Sequence, residues 1–274
     1  MTNVFQRHWF TTVRRTGGDG LLDARTVYRG TDGEFAALLK VKPAVLQIVS
    51  AVWEEYAPRP KAVDIEGLTG VEAYFNCGPI LREVLSGLGS FTRSLFAETV
   101  RGVIQAETFL LKERGYNSPA EYDRYWNGFY AGSCRYYSNL DRVSKTWNEH
   151  AGSYRTTNLF NRFKTQSLYS VPRGGYRISG TLSDSFHELG ADILVDREFW
   201  IKEANGVLLR CPDDVCREAA EHLHNLPGNR AAFTDKKGLA ELLGAGAGCV
   251  HLIDLVNDAF KSIELYIGKG DGNI

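Results

Sequence analysis

Two stretches of the chain run through the same succession of hydrophobic patterns. In the first, Gly20-Leu-Leu-Asp-Ala-Arg-Thr-Val leads through Glu34-Phe35 to the apolar run Ala36 to Val41, and Val45 to Val52 follows. In the second, Gly175-Tyr-Arg-Ile-Ser-Gly-Thr-Leu leads through His187-Glu188-Leu189 to the run Ala191 to Val195, and Phe199 to Leu209 follows. Short runs of this kind separated by turn residues predict strands. Each set is followed by a short apolar segment, a glycine turn and a longer run at helical spacing. The first copy has Leu81 to Gly89 and then a run to Ala106. The second has Leu239 to Gly248 and then a run to Tyr266. In the last run Leu252, Leu255, Val256, Ala259, Phe260 and Ile263 recur every three or four residues, the stripe of a helix buried on one face. Thr234 is placed to cap a helix over 236–243 that Gly244 stops, and Pro79 to occupy a first helical position.

Strands grouped before helices predict an antiparallel sheet with helices packed on it, an α+β fold. The shared order predicts an internal duplication arranged about a pseudo-twofold axis, with units at 8–110 and 170–266. Between them, 111–169 reads as a helical, aromatic-rich insertion. Ser118-Pro119-Ala120-Glu121 has the form of a capping box with proline at the first helical position. Tyr122, Tyr125, Trp126, Phe129 and Tyr130 then fall on one helical stripe, which Cys134, Tyr136, Tyr137 and Leu140 extend. A stripe of this kind packs in a core more often than it walls a pocket.

Composition narrows the function. The net charge is −1 and no run of Lys or Arg is long enough to neutralise several phosphates, which argues against nucleic acid. No apolar stretch reaches membrane-spanning length and no signal peptide is evident. Five cysteines, an odd number too sparse for a disulfide framework, fit a reducing cytoplasm. The chain has no phosphate-binding glycine loop and no Gly-x-Ser-x-Gly or His-Glu-x-x-His motif, so nucleotide and flavin cofactors are not indicated.

The second copy carries three of the five cysteines and four of the six histidines. Cys216 follows Pro212-Asp213-Asp214 in the first turn of an expected helix, and Cys249 follows Gly248 at the start of the last one. A helix N-terminus favours thiolate, the form that ligates metal or attacks an electrophile. Free cysteine also packs simply as a small apolar side chain. If Cys249 and His251 both lie inside the helix they point about 200° apart, whereas with Cys249 just outside it both reach one site. Asp254, three residues beyond His251, is placed to pair with it.

Gly248-Cys249-Val250-His251-Leu252 resembles the Gly-Cys-Thr-His-Leu signature of an uncharacterised bacterial family of unknown function. His187-Glu188-Leu189 and Pro212 to Cys216 resemble two further elements of that family, and the resemblance covers about 170–264. The pattern in turn is similar to the iron–sulfur scaffold fold of the NifU and SufE type. There three ligands come from a strand start and two helix starts, positions that His187 (or Glu188), Cys216 and Cys249 would fill. The chain lacks that fold's first cysteine and its Gly-Asp, which favours zinc over an iron–sulfur cluster. In the first copy Ser90 and Thr92 stand where Cys249 and His251 stand in the second.

The leading expectation is an enzyme acting on a small molecule. It has a zinc or iron site at His187, Cys216 and Cys249, with Cys249 and His251 as catalytic groups. The alternatives are a metal-binding scaffold without turnover and a module binding an aromatic ligand. A second copy of the chain is the expected protein partner.

Overall fold

The computed structural model describes residues 1–57, 60–152, 154–172, 174–231 and 234–270. Nine strands form one antiparallel sheet, confirming the α+β expectation: β1 (Thr2–Arg15), β2 (Leu22–Gly30), β3 (Gly33–Lys42), β4 (Gln47–Ala57), β5 (Lys61–Asp64), β6 (Asn158–Ser170), β7 (Tyr176–Asp184), β8 (Glu188–Val195) and β9 (Ile201–Arg210). Their hydrogen-bonded order is β5-β4-β3-β2-β1-β6-β7-β8-β9. The helices are α1 (Cys77–Val84), α2 (Gly89–Ala106), α3 (Pro119–Phe129), α4 (Trp147–Ala151), α5 (Lys236–Leu242) and α6 (Val250–Gly270), with a 3-10 segment over Asp214–Asn225. Among the described residues no helix is long and apolar enough to cross a membrane.

The chain divides into two compact units. One comprises His8–Tyr122 and Gly152–Phe163; the other comprises Met1–Arg7, Asp123–Ala151 and Lys164–Ile274. The segment expected as a separate insertion is therefore shared between them. Within each unit a run of consecutive strands, β2–β5 or β7–β9, precedes a long helix, α2 or α6.

Strands β2–β4 and β7–β9 lie where the apolar runs predict, whereas β1 and β6 were not visible in the pattern. Along β6 the alternation is inverted: Arg162, Lys164 and Gln166 are buried while Phe163 is exposed. Such a strand is stable only if each buried polar group finds a partner. In the first unit Arg162 reaches Glu98 of α2 at 3.2 Å. In the second, Lys164 reaches Asp258 of α6 at 2.9 Å, and Gln166 donates to the Leu255 carbonyl at 2.9 Å.

The core of the first unit is an aromatic cluster in which Phe91 of α2 meets Tyr28, Phe35 and Trp53 edge-on, with centroids 4.8–6.3 Å apart. In the second unit α6 buries Leu252, Leu255, Val256, Ala259, Phe260 and Ile263, the stripe read from the sequence. The larger of these each stabilise the fold by roughly 1.5–3 kcal/mol.

Several local expectations shift. Pro79 sits third in α1, behind the cap residue Asn76, where its missing N–H is still one that the helix leaves unused. Asp235, not Thr234, caps α5, its carboxylate accepting from the Gly238 amide at 2.7 Å. Helix α3 begins at Pro119 as predicted. Ser118 Oγ accepts from the Glu121 amide, and the Glu121 carboxylate reaches back to the amide of Asn117, one residue earlier than a capping box requires. Tyr122 and Trp126 are buried, but Phe129 is 50% exposed and α3 ends there. Cys134 to Leu140 do not continue the helix. The chain turns instead, with Gly132 in the left-handed region (φ 74°).

Glu107 tests the burial argument in the first unit. Its carboxylate is wholly buried, accepting from Arg114 Nε at 2.6 Å and from the Tyr74 hydroxyl at 2.8 Å. Burial pushes the carboxyl up, against the pull of Arg114 and Tyr74. Replacing Arg114 by Met strands that group, so urea denaturation should show a loss of about 3 kcal/mol. Glu107→Gln should cost clearly less, because its amide oxygen still accepts from Arg114 Nε and its amide nitrogen, in place of the other oxygen, can donate to the Tyr74 hydroxyl.

Candidate functional site

The turn from β7 to β8 is built by one carboxylate. Asp184 Oδ1 accepts from the backbone N–H groups of Phe186 (2.8 Å) and His187 (2.7 Å), and the Asp184 amide donates to the His187 carbonyl at 2.7 Å. Short polar side chains favour turns by bonding to their own backbone in this way. The last residue of β9 braces the turn: the Arg210 guanidinium donates to the carbonyls of Asp184 (2.6 Å) and His187 (3.3 Å). His187 is thereby held with Nδ1 3.2 Å from Asp184 Oδ1, and both side chains are buried.

Helix α6 brings the second histidine. His251 is its second residue, and its ring lies 3.9 Å from that of His187, centroid to centroid, tilted by 32°. One ligand atom from each of Asp184, His187 and His251 lies within 4.8 Å of the others. Two atoms bound to one zinc ion in a tetrahedral site are about 3.4 Å apart, so small side-chain adjustments would close this set around an ion. Trp147 of α4 packs against Phe186 at 4.8 Å and lies 6.4 Å from the His187 ring. His150 donates from Nε2 to the Phe186 carbonyl at 2.8 Å, and burial lowers its pKa, so the ring is neutral near pH 7.

The cysteines are placed otherwise than the sequence suggested. Among the described residues, Asp184, His187 and His251 form the one group of three ligating side chains this close. Cys216 and Cys249 do not converge with His187. Cys249 does sit just outside the helix, where the backbone of Leu252 and His251 pulls its thiol down without outweighing burial. Burial pushes this thiol up to about 11, leaving it protonated at neutral pH. Cys216 is also raised, first by its hydrogen bond with Cys211 and then by burial. A helix N-terminus contributes at most about 1–2 kcal/mol towards a thiolate, less than the cost of burying an unpaired charge. Asp254 forms an ion pair with Lys236 at 2.5 Å. Asp184 was missed in the sequence. Its signal was the Asp-x-x-His spacing between two alternating apolar runs, which marks a side-chain-capped turn.

Residues 162–263 match the model of a family described as a protein of unknown function, DUF2889. The matched segment runs from β6 into α6 and contains Asp184, His187 and His251. No curated protein matches the chain.

The glycine-rich loop before α6 sets where His251 begins. A methyl group on Gly248 would lie 1.9 Å from the Leu243 carbonyl oxygen, and one on Gly246 would lie 2.1 Å from that of Gly132. The segment after α3 clamps the same loop: the Arg135 amide donates to the Gly248 carbonyl at 2.8 Å and Ser138 Oγ to that of Gly246 at 2.8 Å. Gly246→Ala should lower stability by roughly 1–3 kcal/mol, as overpacking does. Gly128→Ala, in α3 with open space around it, should be neutral or stabilising by up to about 1 kcal/mol. Thermal denaturation of the two variants checks the contrast.

Proposed function

We propose that Asp184, His187 and His251 hold a divalent metal ion, with zinc the best fit, and that this centre makes the protein an enzyme acting on a small organic molecule. The observation that carries the reading is the convergence of one carboxylate and two imidazoles from separate segments, the β7–β8 turn and the start of α6. Two histidines and a carboxylate are a donor set of catalytic zinc and of non-haem iron. Three protein ligands leave a further position for water or substrate, and zinc lowers the pKa of bound water towards about 7.

The remaining residues suit that role. The backbone bonds to Asp184 and the Arg210 brace hold the turn in place before any ion binds, which is how the surroundings of a metal site orient its ligands. Trp147, partly exposed and backed by the buried Phe186, offers an apolar surface beside His187, fitting a substrate with an aromatic or aliphatic part.

Metal analysis of protein purified without added metal tests the assignment. Stoichiometric zinc is expected, lost in His187→Ala and His251→Ala, bound roughly 10–100-fold more weakly in Asp184→Asn, and retained in Cys216→Ala. Wild-type protein that neither carries zinc nor binds it in a micromolar titration would remove the metal reading. Loss in Cys216→Ala with retention in His251→Ala would return the site to the cysteines.

A further inference from the structure

Helix α4 is five residues long, Trp147–Ala151, too short to keep its shape without outside help. A capping box fixes its start: Thr146 Oγ1 accepts from the Glu149 amide at 3.3 Å, and the Glu149 carboxylate accepts from the Thr146 amide at 2.7 Å. From α3, the buried carboxylate of Asp123 accepts from the side-chain amide of Asn148. Just before the helix, the Tyr136 hydroxyl donates to the Lys145 carbonyl at 3.0 Å and that of Ser144 to the Asp213 carboxylate at 2.7 Å. So anchored, α4 meets the β7–β8 turn through two side chains, and both act on Phe186. Trp147 packs on its ring at 4.8 Å, and His150 Nε2 donates to its carbonyl at 2.8 Å.

That carbonyl belongs to the peptide unit joining Phe186 to His187. The N–H of the same unit is the His187 amide, which donates to Asp184 Oδ1 at 2.7 Å. A peptide unit is planar and stiff, so bonds at both of its edges fix its rotation. Asp184 holds one edge and His150 the other, and the plane between them leads straight into the Cα of His187. Arg210 holds the carbonyls of Asp184 and His187 but not that of Phe186, which is left to His150. The direction in which the His187 ring leaves the backbone, towards the His251 ring 3.9 Å away, is therefore set in part from α4.

We propose that His150 is a positioning residue for the centre at Asp184, His187 and His251, and that through it the docking of α4 and the binding of the ion reinforce each other; this rests on the metal reading above. His150 contributes no ligand atom and acts only through the Phe186 carbonyl. Losing such an outer partner of a metal ligand weakens metal binding by roughly 10–100-fold. The effect is reciprocal by linkage: if docked α4 raises affinity for the ion by some factor, the bound ion favours docked α4 by the same factor. A five-residue helix held by a few side-chain bonds opens at low cost, so that gain is readable as slower hydrogen exchange. The centre is thus regulated by a short helix that also carries Trp147, the apolar surface beside His187.

The test uses the full chain, stripped of metal and titrated with zinc, with hydrogen exchange over 145–151 followed by mass spectrometry. In the wild type, saturating zinc should slow exchange of this segment by roughly 10-fold or more. His150→Leu should weaken zinc binding by roughly 10–100-fold and abolish the slowing. His150→Gln, which keeps an N–H close to the place of Nε2, should bind zinc within about threefold of the wild type, a rescue that packing alone would not give. Unchanged zinc affinity in His150→Leu, or exchange over 145–151 that saturating zinc does not alter, overturns the proposal and leaves the metal reading standing. The wild-type exchange measurement decides even if His150→Leu does not fold. Wild-type protein that binds no zinc removes the metal reading and this coupling together.

Discussion

A polar group removed from water must find a partner, and the placement of both long helices depends on that requirement. Strand β6 turns Arg162, Lys164 and Gln166 inward, where an unpaired charge would cost several kcal/mol. Each inward group is answered from a helix: Arg162 by Glu98 of α2 in one unit, Lys164 by Asp258 and Gln166 by the Leu255 carbonyl of α6 in the other. Apolar burial supplies most of the free energy of docking a helix but sets its position loosely, because hydrophobic contact is non-directional. The ion pair and the amide–carbonyl bond are directional, and they set the register of α6 on the strands. His251 rides on that register.

Around the candidate site the same rule acts on a smaller scale. Asp184 satisfies two backbone amides and faces the His187 ring, so the turn and the imidazole are oriented together. Arg210 closes the turn from the neighbouring strand. Behind α6, Gly246 and Gly248 let carbonyls approach to distances that no side chain allows, and Arg135 and Ser138 hold the loop in that approach. The aromatic segment, expected to pack in the core, thus supplies, beyond α3, a polar clamp on the loop that starts α6.

The thiols show how burial overrides a local electrostatic preference. Cys216 and Cys249 do occupy starts of helical segments, as their sequence positions indicate, yet both are raised rather than lowered. Cys211, which the sequence did not single out, is the lowered one, chiefly through the neighbouring Cys216 side chain. Position along a helix is a local property; solvent access and a neighbouring donor are not.

What the sequence by itself determined is what depends on near neighbours in the chain. The apolar runs of β2–β4 and β7–β9, the buried stripe of α6, the start of α3 at Pro119 and the glycine stop after α5 are all set within a few residues, and each appears in the structure. His187 and His251 were legible as candidates too, since both stand at expected element starts. Only the tertiary structure decided the rest. Strand β6 was hidden because its inward residues are charged, and a charged residue becomes an interior one only when a distant helix supplies the counter-charge. Asp184 joined the histidines, and Cys216 and Cys249 did not. Which side chains converge depends on how β8 pairs with its neighbours and how α6 is seated, contacts between residues some 65 positions apart that no local pattern encodes.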